Sequence, residues 1–296
     1  MKNKKKNIVI IGGSGFIGSN IADYFAKEKF NVKIIDKKKI HFSSDRIKHL
    51  NIDISNASKV ANEIKKKDIV FYLADIADIN EAKKNPMLTI RQNILNLTSI
   101  LHCLRNSKIQ RFIYGSSLYV YSPAGSVYRA TKQSAEILIE TLSQLYKLKY
   151  TFIRFGSVYG KRAQSWNGLN KFISQIISKK KVVYGGTGQE MREYINISDA
   201  AKMSSEIAMD KKFENKAVSI SAQQAITVDH LFSLIFEIYG IKKKVTYLNK
   251  KNLDDHYGLT PYRYHPASSI KIVPNSAKDL GEGILETINE INKTNK

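Results

Sequence analysis

The stretch NIVIIGGSGFIGSN, residues 7–20, sets the architecture of this chain. Its first five residues form a short apolar run rich in β-branched side chains, which predicts a buried strand. Gly12, Gly15 and Gly18 then form a G-x-x-G-x-x-G array, and an amphipathic helical pattern follows. Glycines between a strand and a helix permit a tight turn and let backbone N–H groups approach a diphosphate at the helix N-terminus. The stretch therefore predicts a nucleotide-binding turn.

The next predicted strand, NVKIID, indicates which nucleotide the turn binds. It ends in Asp36, whose carboxylate can accept hydrogen bonds from the ribose of an adenosine. This pairing of glycine turn and carboxylate predicts a dinucleotide, and a carboxylate repels a 2′-phosphate, so NAD is the expected cofactor. NADP stays an alternative because the following residues, Lys37, Lys38 and Lys39, could soften that repulsion.

Strands and helices continue to alternate along the first half of the chain. The segments DIVFYLAD, RFIYGSS and YTFIRFGSVYG are expected strands, separated by predicted helices of ordinary length. This order predicts an α/β fold, a Rossmann doubly wound parallel sheet with helices on both faces. From about Lys161 the segments become shorter and less regular, which indicates a smaller C-terminal α/β substrate lobe. We expect an NAD-binding domain at 1–160, rejoined by about 195–225, and a substrate-binding lobe at 161–194 and 226–296.

Charge and hydropathy narrow the function classes. The 296 residues carry a formal net charge of +22, but only nine of the 48 basic residues are arginine and the lysines are scattered in short runs. We interpret most of this charge as solvated surface, with a nucleic-acid-binding protein of the same fold as the alternative. The N-terminal apolar run is too short for a signal peptide, and no run approaches the length of a membrane span. The expected location is the cytoplasm, with no integral membrane segment.

Cysteine and histidine give little sign of further chemistry. The single cysteine, Cys103, excludes an intrachain disulfide and lies in an apolar-periodic segment where a packed side chain is expected. The six histidines show no pairing with cysteine or carboxylates at metal-ligand spacing, so no metal site is predicted.

A second cluster of chemistry follows the strand RFIYGSS. Ser117 ends this strand, and Tyr128 and Lys132 lie one helical turn apart in the helix after it. The carboxyl ends of parallel strands form the ligand-binding edge of such a sheet, so the three side chains are expected to meet there. A tyrosine hydroxyl can act as a base near neutrality when a neighbouring ammonium stabilises its phenolate. We therefore predict Ser117, Tyr128 and Lys132 as catalytic residues, with Ser117 orienting the substrate oxygen.

Seven motifs in order make the chain resemble an extended short-chain dehydrogenase/reductase of the NAD-dependent epimerase/dehydratase family. They are GGSGFIGSN, DIVFYLAD, NPMLTIRQNILNLTSIL, RFIYGSSLYVYS, YRATKQSAE, FIRFGSVYGKR and GTGQEMREYINISDAAK. The resemblance covers nearly the whole chain and implies a nucleotide-diphosphate sugar as substrate. It also aligns Ser117, and not Ser116, with the family's catalytic serine.

The resemblance implies roles for further residues. The cofactor-binding residues expected are Gly12, Gly15, Phe16, Ile17, Gly18, Asp36, Asp53, Ile54, Leu73, Ala74, Tyr128 and Lys132. The substrate-binding residues expected are Ser117, Ser157, Arg192 and Arg263, of which Arg192 matches an arginine that binds the diphosphate in relatives and Arg263 is a loose substitute for a missing motif.

Several positions depart from the family pattern. Leu118 and Tyr119 occupy the places of the Asp-Glu pair that family 4,6-dehydratases use for water elimination, so dehydration is not expected. Only residues 122–127 separate Tyr121 from Tyr128, a much shorter segment than in relatives, which should open the sugar side of the pocket. Ser157 replaces an asparagine of 4-epimerases. Asp75 stands where relatives often have a small residue, and it either meets the substrate or caps the following helix.

The predicted activity is NAD-dependent hydride transfer at a secondary hydroxyl of the sugar, most simply C4, by a nucleotide-sugar 4-epimerase. The alternatives are a nucleotide-sugar dehydrogenase and a 4-ketosugar reductase. A homodimer is expected, since family members pair through two helices that correspond here to residues 89–104 and 128–146.

Overall fold

The computed structural model describes residues 7–40, 42, 44–122, 124–249, 270–274 and 276–294. Arg263, one of the four predicted substrate-binding residues, lies outside these ranges.

Eight parallel strands form the central sheet. Their order across the sheet is β14-β11-β6-β5-β4-β1-β2-β3. The bounds are β1 Asn7–Ile11, β2 Asn31–Ile35, β3 Ile47–Leu50, β4 Ile69–Tyr72, β5 Arg111–Ser117, β6 Tyr150–Phe155, β11 Lys216–Ile220 and β14 Ile270–Ile272. The central strands are buried along their length, as expected of a parallel sheet covered on both faces.

Helices cover the two faces of this sheet. α1 Phe16–Lys27 and α8 Ile197–Met209 pack on one face, where their apolar sides join residues of the strands in one core cluster. On the other face lie α2 Ala57–Asn62, α5 Asn96–Cys103 and α6 Ser126–Tyr146, with a second core cluster beneath them. The shorter α3 Ile79–Lys84 and α4 Pro86–Ile90 connect β4 to α5. The doubly wound sheet predicted from the sequence is confirmed.

A third core cluster lies away from the sheet. It is built by α7 Gly168–Lys179, α9 Val228–Ile238 and α10 Leu280–Thr294 together with short strand pairs. These strands are β7 Ser157–Tyr159, β8 Val182–Tyr184, β9 Met191–Arg192, β10 Tyr194–Asn196, β12 Ile226–Thr227 and β13 Val245–Tyr247, paired as β7 with β10, β8 with β13 and β9 with β12.

Three elements differ from the sequence-based expectation. β14 falls in the segment assigned to the substrate lobe, but it pairs with β11 at the edge of the central sheet. The expected long strand 150–160 divides at Gly156 into β6 and β7, which join different sheets. The expected helix over 89–107 contains a π-helical turn, Arg91–Leu95, between α4 and α5. Such turns are rare, and those that occur are often found near functional sites. Residue spacing alone does not reveal them.

Candidate active site

Two adjoining depressions lie at the carboxyl edge of the central sheet. The smaller has a volume of about 180 Å³. It is lined by Gly12, Gly15, Ile35, Asp36, Lys37, Ile52, Asp53, Ile54, Leu73, Ala74, Asp75 and Gln92. The larger has a volume of about 580 Å³ and shares Gly12, Gly15, Leu73 and Asp75 with the smaller. A ligand could therefore extend from one into the other.

The glycine turn fits the diphosphate of a dinucleotide. Gly12 has a φ of +81°, and a Cβ at this position would lie 2.6 Å from the backbone N of Ala74. A Cβ on Gly18 would lie 2.6 Å from the carbonyl O of Gly12. Helix α1 begins after Gly15 without a side-chain cap and without an acidic residue in its first turn. Its first N–H groups and the positive end of its dipole are thus suited to an anion.

The far end of the smaller depression fits an adenosine ribose. The Asp36 carboxylate accepts a hydrogen bond from the backbone N of Ser14 at 3.0 Å and one from the backbone N of Lys38 at 2.9 Å. These bonds fix its orientation and leave further lone pairs, since a carboxylate can accept about four hydrogen bonds. Asp53 lies nearby, where a backbone hydrogen bond from Ser55 and the neighbouring Lys37 lower the pKa of its carboxyl.

The larger depression brings together the three predicted catalytic residues. Ser117, Tyr128 and Lys132 all line it, as do Phe16, Ile17 and Gly18. The Ser117 hydroxyl accepts a hydrogen bond from the backbone N of Tyr119 at 3.3 Å, because strand β5 ends there in a short 3-10 turn. The hydroxyl hydrogen can then point elsewhere, for example at a substrate oxygen.

The short segment before Tyr128 depends on a left-handed glycine. Gly125 has a φ of +102°, and a Cβ there would lie 2.6 Å from the Tyr119 ring. Helix α6 begins directly afterwards. The Tyr119 ring then packs edge-on against the Tyr128 ring, with centroids 5.8 Å apart. The left-handed conformation of Gly125 therefore accompanies a close approach to Tyr119, whose ring contacts Tyr128.

Lys132 is held by a carboxylate that the sequence patterns did not assign to it. Its ammonium donates to Asp75 Oδ2 at 2.6 Å and to the carbonyl O of Gly115 at 2.5 Å. Burial by itself lowers the pKa of Lys132, but the Asp75 carboxylate, with contributions from Tyr128 and Glu136, raises it above its usual value. The Tyr114 hydroxyl also donates to Asp75 Oδ2, at 2.9 Å. The helix after β4 is capped by Asp78 and not by Asp75, because the Asp78 side chain accepts from the backbone N of Asn80.

The loop that carries Asp75 is fastened to the π-helical turn. The Asn93 side chain accepts from the backbone N of Ile76 at 2.8 Å and donates to the carbonyl O of Ile76 at 3.2 Å. The same amide donates to Thr131 Oγ1 at 3.1 Å. Asn93 thus ties the Asp75 loop to helix α6 next to Lys132.

A second buried ion pair lies one turn further along α6. Glu136 accepts from Ser116 Oγ at 2.6 Å and from Arg154 Nη2 at 2.5 Å, and the Arg154 guanidinium also bonds to the Tyr121 hydroxyl. Both serines line the larger depression, but the Ser116 hydroxyl donates its hydrogen to Glu136, whereas the Ser117 hydroxyl accepts from the backbone N of Tyr119 and keeps its hydrogen for another acceptor.

The other side of the larger depression comes from the lobe. Ser157 and Arg192 line it. Sequence analysis missed the neighbouring lobe residues Gln164, Trp166, Asn167, Lys171, Phe172, Val183 and Tyr184, and also Ala77, Asp78, Ile79 and Asn80 after β4. They lie in α3, α7, β8 and the loops beside these elements, where the sequence carries no recognised motif, so no pattern marked them. In the part of the chain that the structure describes, no three His, Cys, Asp or Glu side chains are grouped to hold a metal.

Comparison with known proteins gives the family. The profile of the NAD dependent epimerase/dehydratase family matches residues 8–220, well over half of the chain. The chain belongs to this family. The chain is similar to a putative UDP-glucose 4-epimerase of Methanocaldococcus jannaschii, with 26% identity over 98% of this chain and 99% of the relative. Protein CapI of Staphylococcus aureus is 29% identical over 71% of each chain.

Solved structures of similar proteins show the same fold. A UDP-glucose 4-epimerase of Thermotoga maritima, solved with UDP-glucose, superimposes with a TM-score of 0.81 at 22% identity, over 98% of this chain and all of the other. A UDP-glucuronic acid 4-epimerase of Bacillus cereus, solved with UDP-glucuronic acid and NAD, gives a TM-score of 0.82 at 20% identity, over 97% of this chain and 99% of the other.

No helix within the described residues is long and apolar enough to cross a bilayer.

Proposed function

We propose that the protein is an NAD-dependent nucleotide-sugar 4-epimerase. One observation carries this proposal: Ser117, Tyr128 and Lys132 line a single depression that is continuous with the turn of Gly12, Gly15 and Gly18. A proton-transfer group and a nucleotide-binding turn in one space are what alcohol oxidation by a nicotinamide requires. NAD, when bound, would accept a hydride from the carbinol carbon and return it.

The chain's own residues would handle the proton. Tyr128 as phenolate would remove the hydroxyl proton of the sugar and later give it back, so that no proton is gained or lost over the cycle. Lys132 would stabilise the phenolate and hold a ribose of the cofactor, while Ser117 would donate a hydrogen bond to the substrate oxygen as its charge changes. Turning of the ketosugar between the two transfers would invert the carbon.

The names of relatives support a UDP sugar as substrate. The M. jannaschii relative and the two structural neighbours described above are 4-epimerases of UDP sugars by name. A dTDP-glucose 4,6-dehydratase of Dictyostelium discoideum is also similar, at 28% identity over 66% of this chain. We propose that the present protein does not dehydrate its substrate, because neither Leu118, which is buried and apolar, nor Tyr119 carries a carboxyl group.

The substrate would lie between the sheet and the lobe. We propose Arg192 as a diphosphate contact and Ser157 as a sugar or diphosphate contact, since both line the larger depression. Arg263 remains a predicted contact. The domain division also stays a proposal, resting on the separate core cluster of the lobe, with residues 270–272 transferred to the sheet domain.

The experiment is a product assay without added cofactor. The purified protein is incubated with UDP-glucose, UDP-glucuronic acid and UDP-N-acetylglucosamine, and the sugars are separated by anion-exchange chromatography while NADH absorbance is followed. We expect one substrate to give its 4-epimer without NADH accumulation. Stoichiometric NADH would indicate a dehydrogenase, and a 4-keto-6-deoxy product would indicate a dehydratase. In a parallel incubation with added NADH and a UDP-4-ketosugar, consumption of NADH would indicate a reductase. Strongly salt-dependent DNA binding without nicotinamide binding would contradict an enzymatic role.

Assembly and location belong to the same proposal. Large apolar side chains are exposed on the two helical segments expected to pair, namely Ile90, Leu95, Ile137 and Leu145, and Met87 and Leu88 are exposed just before the first of them. Burial of these side chains against a second copy would remove their apolar surface from water. A homodimer in the cytoplasm is the proposed state, and a monomeric mass in light scattering at micromolar concentration would contradict it.

A further inference from the structure

Asp75 forms the closest ionic contact of the candidate catalytic lysine. Its side chain is 4% exposed and that of Lys132 is 5% exposed, so water screens the pair weakly. Asp75 lines both depressions at the point where they adjoin. Its Oδ1 is buried without a hydrogen-bond partner among the described residues, while Oδ2 receives both Lys132 and Tyr114. The carboxylate is thus directed at the lysine and not at the solvent.

The contact fixes the direction of the ammonium. An ammonium has three N–H groups, and two of those on Lys132 point at Asp75 Oδ2 and at the carbonyl O of Gly115. Asp75 itself cannot follow the lysine freely, because Asn93 holds both backbone polar groups of the next residue, Ile76. A long, flexible side chain is therefore placed by a short, anchored one.

The contact also changes the field at the catalytic tyrosine. The Lys132 ammonium lies 5.8 Å from the centre of the Tyr128 ring. A positive charge at this range favours the phenolate, but a carboxylate 2.6 Å from that charge offsets part of its effect. A site without Asp75 would present a stronger positive charge to Tyr128 and a less firmly placed lysine.

We propose that Asp75 is a positioning residue that fixes the Lys132 ammonium and limits the positive field it exerts on Tyr128. The proposal rests on the role of Tyr128 in the function proposed above. Its consequence is that the carboxylate offsets part of the stabilisation that the ammonium gives to the Tyr128 phenolate, which keeps the tyrosine able to return a proton in the second half of an epimerase cycle.

The other charged and titratable groups around this pair are few. Tyr114 on β5 lies with its ring centre 4.6 Å from Lys132 Nζ, and burial together with Asp75 raises the pKa of its hydroxyl well above the usual value. Glu136 on α6 also acts on Lys132 but is paired with Arg154. Tyr119 faces the ring of Tyr128 from the other side. Tyr72 on β4 lies near Asp75, where burial, followed by Asp75, raises the pKa of its hydroxyl.

The test observes Tyr128 directly and needs no sugar. The full chain is prepared with tyrosine isotopically labelled at Cζ, the Tyr128 resonance is assigned by its loss in Tyr128→Phe, and its chemical shift is followed against pH with and without NADH. In Asp75→Asn, which keeps the shape and an acceptor but removes the charge, we expect the midpoint of Tyr128 ionisation to fall by roughly one pH unit. Asp75→Ala should move it in the same direction, and serves if the asparagine variant does not fold.

Two matched variants complete the design. Asp78→Asn removes a carboxylate from the same loop that caps α3 and does not contact Lys132, so the midpoint should stay in place. Lys132→Met should raise the midpoint, which establishes that the probe senses the local field. An unchanged midpoint in both Asp75 variants, with Lys132→Met raised, would overturn the proposal. Because the titration is independent of turnover, its result stands apart from the product assay for the proposed epimerase.

Discussion

Helix α6 contributes one partner to each of two buried ion pairs that differ in what surrounds them. Lys132 pairs with Asp75, and one turn later Glu136 pairs with Arg154, with side chains exposed by 10% or less in both pairs. The first pair borders both depressions and leaves one carboxylate oxygen without a partner among the described residues. In the second, both Glu136 oxygens accept hydrogen bonds, from Ser116 and Arg154.

The difference in surroundings distinguishes an ion pair at the candidate active site from one that stabilises the fold. A pair that links α6, β5 and β6, and whose two carboxylate oxygens both accept hydrogen bonds, can fix the positions of these elements. A pair at the border of a cavity with an unsatisfied oxygen keeps its charges available to act on a neighbour. We infer that Lys132–Asp75 serves chemistry and Glu136–Arg154 serves stability, although the two pairs are chemically alike.

The largest effect should come from the tyrosine beside the first pair. Tyr128→Phe removes the proton-transfer group while keeping the ring that packs against Tyr119, so turnover of the identified substrate should fall by about 10²- to 10⁴-fold. The thermal unfolding midpoint should stay close to that of the unchanged protein. A variant that retains most of its turnover would refute the assignment of the first pair to chemistry.

Breaking the second pair should reduce stability. Glu136→Gln leaves Arg154 buried without its carboxylate and should lower the free energy of unfolding by about 3–5 kcal/mol, measured by urea denaturation. The double variant Glu136→Gln with Arg154→Met should cost less than the sum of the two single variants, since it leaves no unpaired buried charge.

An exposed pair provides the control for this measurement. Lys149 is 54% exposed and pairs with Glu214. Lys149→Met should cost less than about 1 kcal/mol, because solvent screens such a contact. Equal losses for Lys149→Met and Glu136→Gln would contradict a structural role specific to the second pair.

The adjacent serines should give the smallest and most discriminating effects. Ser117→Ala should lower turnover by roughly ten- to a hundredfold, the equivalent of about 1.5–3 kcal/mol for a hydrogen bond to a charged group, with little loss of stability. Ser116→Ala should instead weaken the fold, because Glu136 loses a hydrogen bond, and should affect turnover less. The measurements are initial rates and urea midpoints for both variants, and a reversed pattern would exchange the roles of the two serines.

Local sequence determined the strands, the glycine turn and the cofactor-side residues. The β-branched run before Gly12 has few alternatives to a buried strand, and Gly12 and Gly18 occupy positions where a Cβ would meet backbone atoms. Tyr128 and Lys132 share a face because a helix repeats every 3.6 residues. These features depend on residues close in the chain, so patterns in the sequence reveal them.

Contacts between distant segments were decided only by the tertiary structure. Lys132 and Asp75 lie 57 positions apart, and nothing in the sequence around either residue indicates that they pair. Three further features also depend on contacts between distant segments. They are the π-helical turn with Asn93, which contacts the Asp75 loop, the addition of β14 to the sheet edge, and the lobe residues around the larger depression. Spacing along the chain fixes which residues share an element, whereas the packing of elements against each other fixes which charges meet. The chemistry of this site depends on residue spacing and on the packing of elements. Only the spacing could be inferred from the amino-acid order.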